Sequence, residues 1–170
     1  MPVRDYNGDG EWSVEAVVRR YEDYCRQFHL PAQRILQPKT HTEGGIRWVY
    51  PIMDAVIEGI RQDDPACTEL GIDFISESKG FPFGITLKSQ TARALRKATL
   101  TRSQEDRVRT RIAKMLLEGY LPQEYRFYSR LFRRTGLGEY KDALLSLTSR
   151  GHRMTKYINY VHVVMAENSV

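Results

Sequence analysis

The stretch KSQTARALRKATLTRSQEDRVRTRIAK, residues 88–114, decides the fold class of this chain. Apolar residues recur at helical spacing on both sides of the short turn TLTR. Leu95 and Ala98 come before the turn, and Val108 and Ile112 come after it. Charged residues occupy most positions between them, so each half predicts an amphipathic helix with one buried face.

The chain upstream of this stretch predicts three more helices. Ser13 is expected to cap the first helix, which ends before Pro31, and apolar residues between 49 and 60 predict the second. The Asp-Pro pair at 64–65 is a typical start for the third helix. We expect that helix to end near Gly80, where a glycine can adopt the left-handed conformation.

Residues 81–88, FPFGITLK, interrupt the helical pattern, because Pro82 and Gly84 disfavour a helix interior. Phe81 and Phe83 are then large apolar groups on a loop. We expect both to fill the core between two halves of the chain. An exposed anchor for a partner is the alternative interpretation.

The chain downstream continues in the same way. After the helix that begins near residue 102, further helices are expected at about 123–134 and 140–147, with Gly136 between them. Residues 152–165 have helical spacing, but their β-branched side chains also suit a strand, so this choice stays open.

These elements predict an all-α fold with about seven or eight helices. We expect a single compact domain in which the helices pack as antiparallel hairpins, with solenoid-like stacking as a further alternative. Residues 1–12 are expected to form a flexible N-terminal leader, and residues 13–170 a single helical domain.

The net charge of +5 is unevenly distributed along the chain. Residues 1–85 carry 9 basic and 14 acidic side chains, whereas residues 86–170 carry 17 basic and 7 acidic ones. Such an asymmetry bears on partners and association rates rather than on fold. The chain has no apolar run near the roughly 18 residues that a membrane span needs, and no apolar stretch typical of a secretory signal. We therefore expect a cytoplasmic protein without a membrane partner.

Three consecutive predicted helices carry basic stripes beside their apolar faces. Residues 88–134 contain 13 basic and 4 acidic side chains, and ten of the 13 are arginine, whose planar fork of donors matches carboxylate and phosphate. Within each helix the basic residues are mostly three or four positions apart and share one side. The candidate anion- or partner-binding residues are Arg93, Arg96 and Lys97 on the first helix, Arg107, Arg111 and Lys114 on the second, and Arg126, Arg130, Arg133 and Arg134 on the third.

The stripes favour a binding protein over an enzyme. The first hypothesis is a non-catalytic helical interaction protein whose basic face, residues 88–134, binds an acidic protein partner. The second is a nucleic-acid-binding protein that uses the same face, since Tyr120, Tyr125, Phe127 and Tyr128 lie among the basic residues, as aromatics do in single-strand grooves. An ordinary solvated face is the alternative to both. The sequence leaves the oligomeric state open.

A helix-turn-helix is disfavoured, because the turn TLTR lacks the glycine common in that motif and the following helix has a long apolar face. No catalytic residue, metal site or cofactor is predicted. Cys25 and Cys67 are expected to be small buried groups on helix faces. DYNGDG, residues 5–10, matches half of a calcium loop, but Ala16 stands where that loop needs a carboxylate. A small helical enzyme with a site invisible in the sequence is the third alternative.

Overall fold

The chain divides into two compact units, with the boundary in the sequence after Thr99. The structure, a computed structural model, describes residues 1–31 and 34–168. Unit 1 is Met1–Thr99 and unit 2 is Leu100–Val170. The described residues are mostly helical, which confirms the helical class, but they include a three-stranded sheet that the all-α prediction lacks. The single domain at 13–170 and the solenoid-like stacking of hairpins stay predictions.

The helices of unit 1 begin at polar caps. The Ser13 hydroxyl accepts a hydrogen bond from the backbone N–H of Ala16, and the Asp64 carboxylate accepts from the N–H groups of Ala66 and Cys67. Such bonds satisfy donors that have no partner within the helix. The third helix packs against the other three. These helices are α1 (Val14–Gln27), α2 (Met53–Arg61), α3 (Pro65–Ser76) and α4 (Gly84–Lys97).

The segment between α3 and α4 differs from the prediction. α3 ends at Ser76, before Gly80, where its end was expected, and α4 begins at Gly84, within the segment that was expected to interrupt the helical pattern. Phe83 adopts the left-handed conformation before α4, with φ of 56°. Phe81 is half-buried, and its ring lies 5.2 Å from that of Phe74. Phe83, in contrast, is 55% exposed.

A small sheet occupies a part of unit 1 where the prediction had a loop and the start of a helix. Gly44 and Gly45 both have positive φ, which suits a two-residue hairpin turn. Val49, predicted on a helix, pairs in a strand instead, because the turn folds the β-branched and aromatic residues around it into a hairpin. The strands are β1 (Val3–Asp5), β2 (Thr40–Glu43) and β3 (Ile46–Val49), in the order β1-β3-β2, with β1 parallel and β2 antiparallel to β3.

Residues 1–12, expected to form a flexible leader, contain regular structure. β1 lies in this segment, and a short 3-10 turn follows at Gly10–Trp12. Trp12 is buried, and its ring lies 4.9 Å from that of Phe74. The Asn7 side chain accepts a hydrogen bond of 2.6 Å from the backbone N–H of Ile52. These contacts join the segment to α2 and α3, while its flexibility stays a prediction.

The first helix of unit 2 begins at a cap in which two residues exchange hydrogen bonds. The Thr101 hydroxyl accepts from the backbone N–H of Gln104, and the Gln104 side chain accepts from the N–H of Thr101. The first helix ends before Gly119, its C-terminal cap, which has a φ of 75°. It packs against the third and fourth helices of the unit, and the last helix packs against the same two. The five are α5 (Arg102–Glu118), α6 (Tyr125–Tyr128), α7 (Phe132–Thr135), α8 (Lys141–Leu145) and α9 (His152–Glu167).

Two predictions for unit 2 are sharpened by the structure. The helix expected at 123–134 is divided, because a 3-10 turn at Ser129–Leu131 separates α6 from α7. Residues 152–165, which the sequence left between helix and strand, lie in α9. The buried side chains of α9 recur at helical spacing, which explains why this segment is a helix and not a strand. They are Met154, Tyr157, Ile158, Val161 and Val164.

Candidate partner-binding surface

The first predicted basic stripe lies on α4 in unit 1. Arg93, Arg96 and Lys97 are exposed, whereas Ala92 and Leu95 are buried. The helical period alone places these three cations on the outer side of the helix. The earlier start of α4 leaves their exposure unchanged.

The second stripe lies on α5 in unit 2. Arg107 and Lys114 are exposed, and Arg111 is half-buried. Burial raises the pKa of the Tyr128 phenol, Glu124 raises it further, and the positive charge of Arg111 opposes the rise. The stripe therefore extends from the open surface of α5 to the packed surroundings of Tyr128.

Arg109, which is on α5 outside the predicted stripe, has a structural role. Its Nε and Nη2 atoms donate to the backbone oxygen of Thr135 at 3.0 and 2.7 Å. Its Nη1 atom donates to Asp106 at 2.6 Å. The guanidinium thus ties α5 to the end of α7, and it is mostly buried.

Arg126 and Arg130 in the third stripe share one aromatic ring. Their guanidinium carbons lie 4.6 and 5.9 Å from the centroid of Phe127. Both arginines are exposed, while Phe127 is 8% exposed. Within the described part of the chain neither arginine forms an ion pair. The ring attracts both cations through its aromatic quadrupole.

The remaining two cations of the third stripe are paired within unit 2. Arg133 donates to both carboxylate oxygens of Glu167, from Nε at 3.0 Å and from Nη2 at 2.9 Å. These hydrogen bonds raise the pKa of Arg133. Nε of Arg134 lies 3.6 Å from Oε1 of Glu105. The predicted basic face is therefore partly neutralised at this end.

The structure brings together only some of the predicted cations. The second and third stripes both belong to unit 2, where α5 packs against α7 and the pair of Arg134 and Glu105 joins the two helices. The first stripe belongs to unit 1. A single basic face across residues 88–134 stays a prediction.

The aromatic residues among the stripes are mostly inaccessible. Tyr125 and Tyr128 are fully buried, and the Tyr125 hydroxyl donates to the backbone oxygen of Ile112 at 2.8 Å. Phe127 lies against two guanidinium groups, as described above. Tyr120, in contrast, is 43% exposed. A row of open rings for stacking nucleic-acid bases is therefore not formed by this group.

A basic hollow in unit 1 was missed by sequence reasoning. Its volume is about 400 Å³, and it contains two residues of the first stripe together with Arg61 from the last turn of α2. The sequence places Arg61 near the end of a predicted helix. It does not show which helix packs beside α2, so the hollow could not be predicted. The residues around the hollow are Ile60, Arg61, Arg93, Ala94, Lys97 and Ala98.

The second feature missed is a group of aromatic side chains on the sheet. The ring of Trp48 stacks with those of Tyr6 and His41 at 6.0 and 5.9 Å, and the Arg4 guanidinium lies 4.7 Å from it. The His41 ring stacks in turn on Tyr50 at 5.4 Å. The available signal was the Gly-Gly dipeptide between THTE and IRWV, which is typical of a hairpin. The rings stack on one another and thereby stabilise the small sheet.

The buried polar groups of unit 1 connect its elements. The Tyr21 hydroxyl donates to Asp64 at 2.8 Å, and Nε of Arg34 donates to the same carboxylate oxygen at 2.9 Å. Burial raises the pKa of the Tyr21 phenol and of the Cys25 and Cys67 thiols. Both cysteines are buried, as expected, and a raised pKa disfavours the reactive thiolate.

Three comparisons with known proteins identify no relative. No family model matches the chain, and neither a curated protein nor a solved structure matches it. Among the residues that the structure describes, no helix is long and apolar enough to cross a membrane. The same residues contain no group of three or more His, Cys, Asp or Glu side chains that could hold a metal ion.

Proposed function

We propose that the protein is a non-catalytic helical interaction protein and that unit 2 binds an acidic segment of a protein partner. The observation that carries the proposal is the arrangement of Arg126 and Arg130 around Phe127. Arg107 and Lys114 on α5 are also exposed and add two positive charges to unit 2. Arg133 and Arg134 contribute less, because carboxylates of unit 2 already neutralise them.

The contact with Phe127 favours binding by reducing its entropic cost. A long side chain in solution loses rotamer freedom when a partner immobilises it. Arg126 and Arg130 have lost part of that freedom already, since both lie against one largely buried ring. Their guanidinium donors are still exposed and match a carboxylate in geometry and charge.

An acidic protein segment fits these residues better than nucleic acid does. Single-stranded nucleic acid is bound by stacking its bases on exposed rings beside basic groups. Tyr125, Phe127 and Tyr128 are buried, so the surface supplies charge without a stacking platform. The proposal keeps the expectations of a cytoplasmic location and of solenoid-like helical hairpins, although it depends on neither.

A binding experiment with a fluorescent polyglutamate peptide tests the proposal. The double variant Arg126→Gln/Arg130→Gln should bind the peptide about tenfold more weakly, because two exposed charge contacts of ~0.7 kcal/mol each sum to ~1.4 kcal/mol. Fluorescence anisotropy at low ionic strength measures the dissociation constants, and added salt should weaken the binding of the unsubstituted protein.

The matched control removes the same net charge elsewhere in unit 2. Lys141 and Lys156 are both exposed and lie outside the stripes, so Lys141→Gln/Lys156→Gln should change the affinity by less than about twofold. An equal loss in the two variants would indicate a nonspecific effect of net charge and would overturn the assignment. Tighter binding of a single-stranded oligonucleotide of equal charge would favour the nucleic-acid alternative instead.

A further inference from the structure

The hollow between α2 and α4 collects positive charge from two helices. Arg93 and Lys97 lie one turn apart on α4, and Arg61 belongs to the last turn of α2. α2 packs against α4, which brings the three side chains around one space. Side chains of like charge that line one hollow favour the binding of an anion there.

Glu58 and Asp63 lie within three positions of Arg61 in the sequence. Oε2 of Glu58 lies 3.4 Å from Nη1 of Arg61, and both side chains are exposed, so water screens that pair. Oδ1 of Asp63 accepts a hydrogen bond of 2.9 Å from the backbone N–H of Thr99. Neither carboxylate lines the hollow itself. Its lining is therefore positively charged.

A neighbouring hollow of about 370 Å³ in the same unit provides a contrast. It shares Arg61 with the first, but its lining also includes the carboxylates of Asp54 and Glu58. Burial raises the pKa of Asp54, against the opposing charges of Lys39 and Arg61. That mixed lining does not favour anions. Of the two hollows, only the one at Arg93 and Lys97 favours an anion.

The rest of the lining is apolar and small. Ile60, Ala94 and Ala98 are buried, and the two alanine side chains are small. The volume of about 400 Å³ is within the range of sites that hold small organic molecules, roughly 300–1,000 Å³. A ligand that fits must combine an anionic head with an apolar body.

The helix dipole explains only part of this arrangement. Arg61 and Lys97 lie in last turns, where a cation offsets the partial negative charge of a helix end. Arg93 lies a full turn earlier on α4 and gains little from that effect. The dipole also gives no reason for the three cations to share one hollow.

We propose that the hollow between α2 and α4 binds a small organic phosphate, with the phosphate held by Arg61, Arg93 and Lys97 and the apolar part resting on Ile60, Ala94 and Ala98. Arginine forks match phosphate oxygens in geometry, and lysine adds a compact charge. The site lies in unit 1 and shares no residue with the surface proposed for an acidic partner in unit 2.

Titration with phenyl phosphate tests this site, with inorganic phosphate and phenol as the two half-ligands. Isothermal titration calorimetry should show that phenyl phosphate binds more tightly than either of them. Arg93→Gln and Lys97→Gln should each weaken phenyl phosphate about tenfold. Ala94→Leu should weaken phenyl phosphate more than inorganic phosphate, because it fills the apolar part of the hollow; circular dichroism checks that this variant folds.

Arg96→Gln is the matched control, because Arg96 is an exposed cation on the same helix but does not line the hollow. It should leave the affinity for phenyl phosphate within about twofold. Equal losses for Arg93→Gln and Arg96→Gln, or no binding of phenyl phosphate at millimolar concentration, would overturn the proposal. The Arg126→Gln/Arg130→Gln variant should retain phenyl phosphate binding, which separates this test from that of the surface in unit 2.

Discussion

Gly59 determines how closely α2 approaches α3. A Cβ atom at this position would lie 2.8 Å from Cβ of Cys67 and nearer still to its Sγ atom. Cys67 is fully buried on α3, so it has little space into which to move. The burial of Cys67 was predictable from helical spacing. The need for glycine at 59 was not, because it depends on a contact between two helices.

Substitution of Gly59 by alanine should destabilise the protein. The added methyl group overpacks the contact with Cys67, and we expect the free energy of unfolding to fall by about 1–3 kcal/mol. Urea unfolding followed by circular dichroism measures the change. Gly80→Ala is the control, since a Cβ atom at Gly80 meets nothing within 4 Å. A loss as large for Gly80→Ala as for Gly59→Ala would contradict the packing explanation.

At the scale of the element, α4 is joined to the segment before it by a buried lysine. Lys88 is 4% exposed, and its Nζ atom donates to the backbone oxygens of Glu77 and Lys79. The same atom lies 5.3 Å from the centroid of Phe81 and 5.7 Å from that of Phe74. Lys88 therefore binds the segment 77–83 rather than contributing charge to the surface.

Lys88→Met should loosen this segment. Methionine keeps an apolar stem but removes the donor, so two carbonyl groups lose a charged partner, at a cost of about 1–3 kcal/mol. Hydrogen exchange measured by mass spectrometry should become faster at residues 77–83. Arg96→Met, an exposed change on the same helix, should leave that exchange as it was. Unchanged protection of 77–83 in Lys88→Met would show that other contacts hold the segment.

At the scale of the whole molecule, fully buried side chains are present in both compact units. Leu70 and Phe74 belong to unit 1, and Leu131 and Phe132 belong to unit 2. A cavity in one core removes contacts from that core directly. Since local opening follows contiguous packed regions, the two units are expected to lose protection separately.

A reciprocal pair of variants tests that expectation. Leu70→Ala and Leu131→Ala should each cost about 2–5 kcal/mol, because both remove a fully buried leucine side chain. Hydrogen exchange should accelerate chiefly at residues 1–99 in the first variant and at residues 100–170 in the second. Equal acceleration throughout the chain in either variant would show that the protein opens as one cooperative body.

The starts of several helices could be predicted because both partners of each cap lie close together in the sequence. Ser13, Asp64 and Thr101 accept hydrogen bonds from backbone groups two or three residues later. Gly119 and Gly136 end helical segments with positive φ. The sheet was missed because a hairpin brings together residues that short-range helical spacing does not relate.

The candidate surfaces were predictable to a smaller extent. Helical spacing was enough to anticipate the exposure of Arg93, Lys97 and Arg126. It could not anticipate that Glu167 neutralises Arg133, because these residues are 34 positions apart. The availability of a cation depends on its partners as well as on its exposure.

The amino-acid sequence by itself determined the helical class, the capped helix starts and the charged side of each stripe-bearing helix. These properties depend on residues within a few positions of one another. Only the tertiary structure decided the hairpin sheet, the neutralisation of Arg133 and the meeting of Arg61 with Arg93 and Lys97. Those features depend on which distant elements pack together, and that is set by the burial of apolar faces throughout each unit.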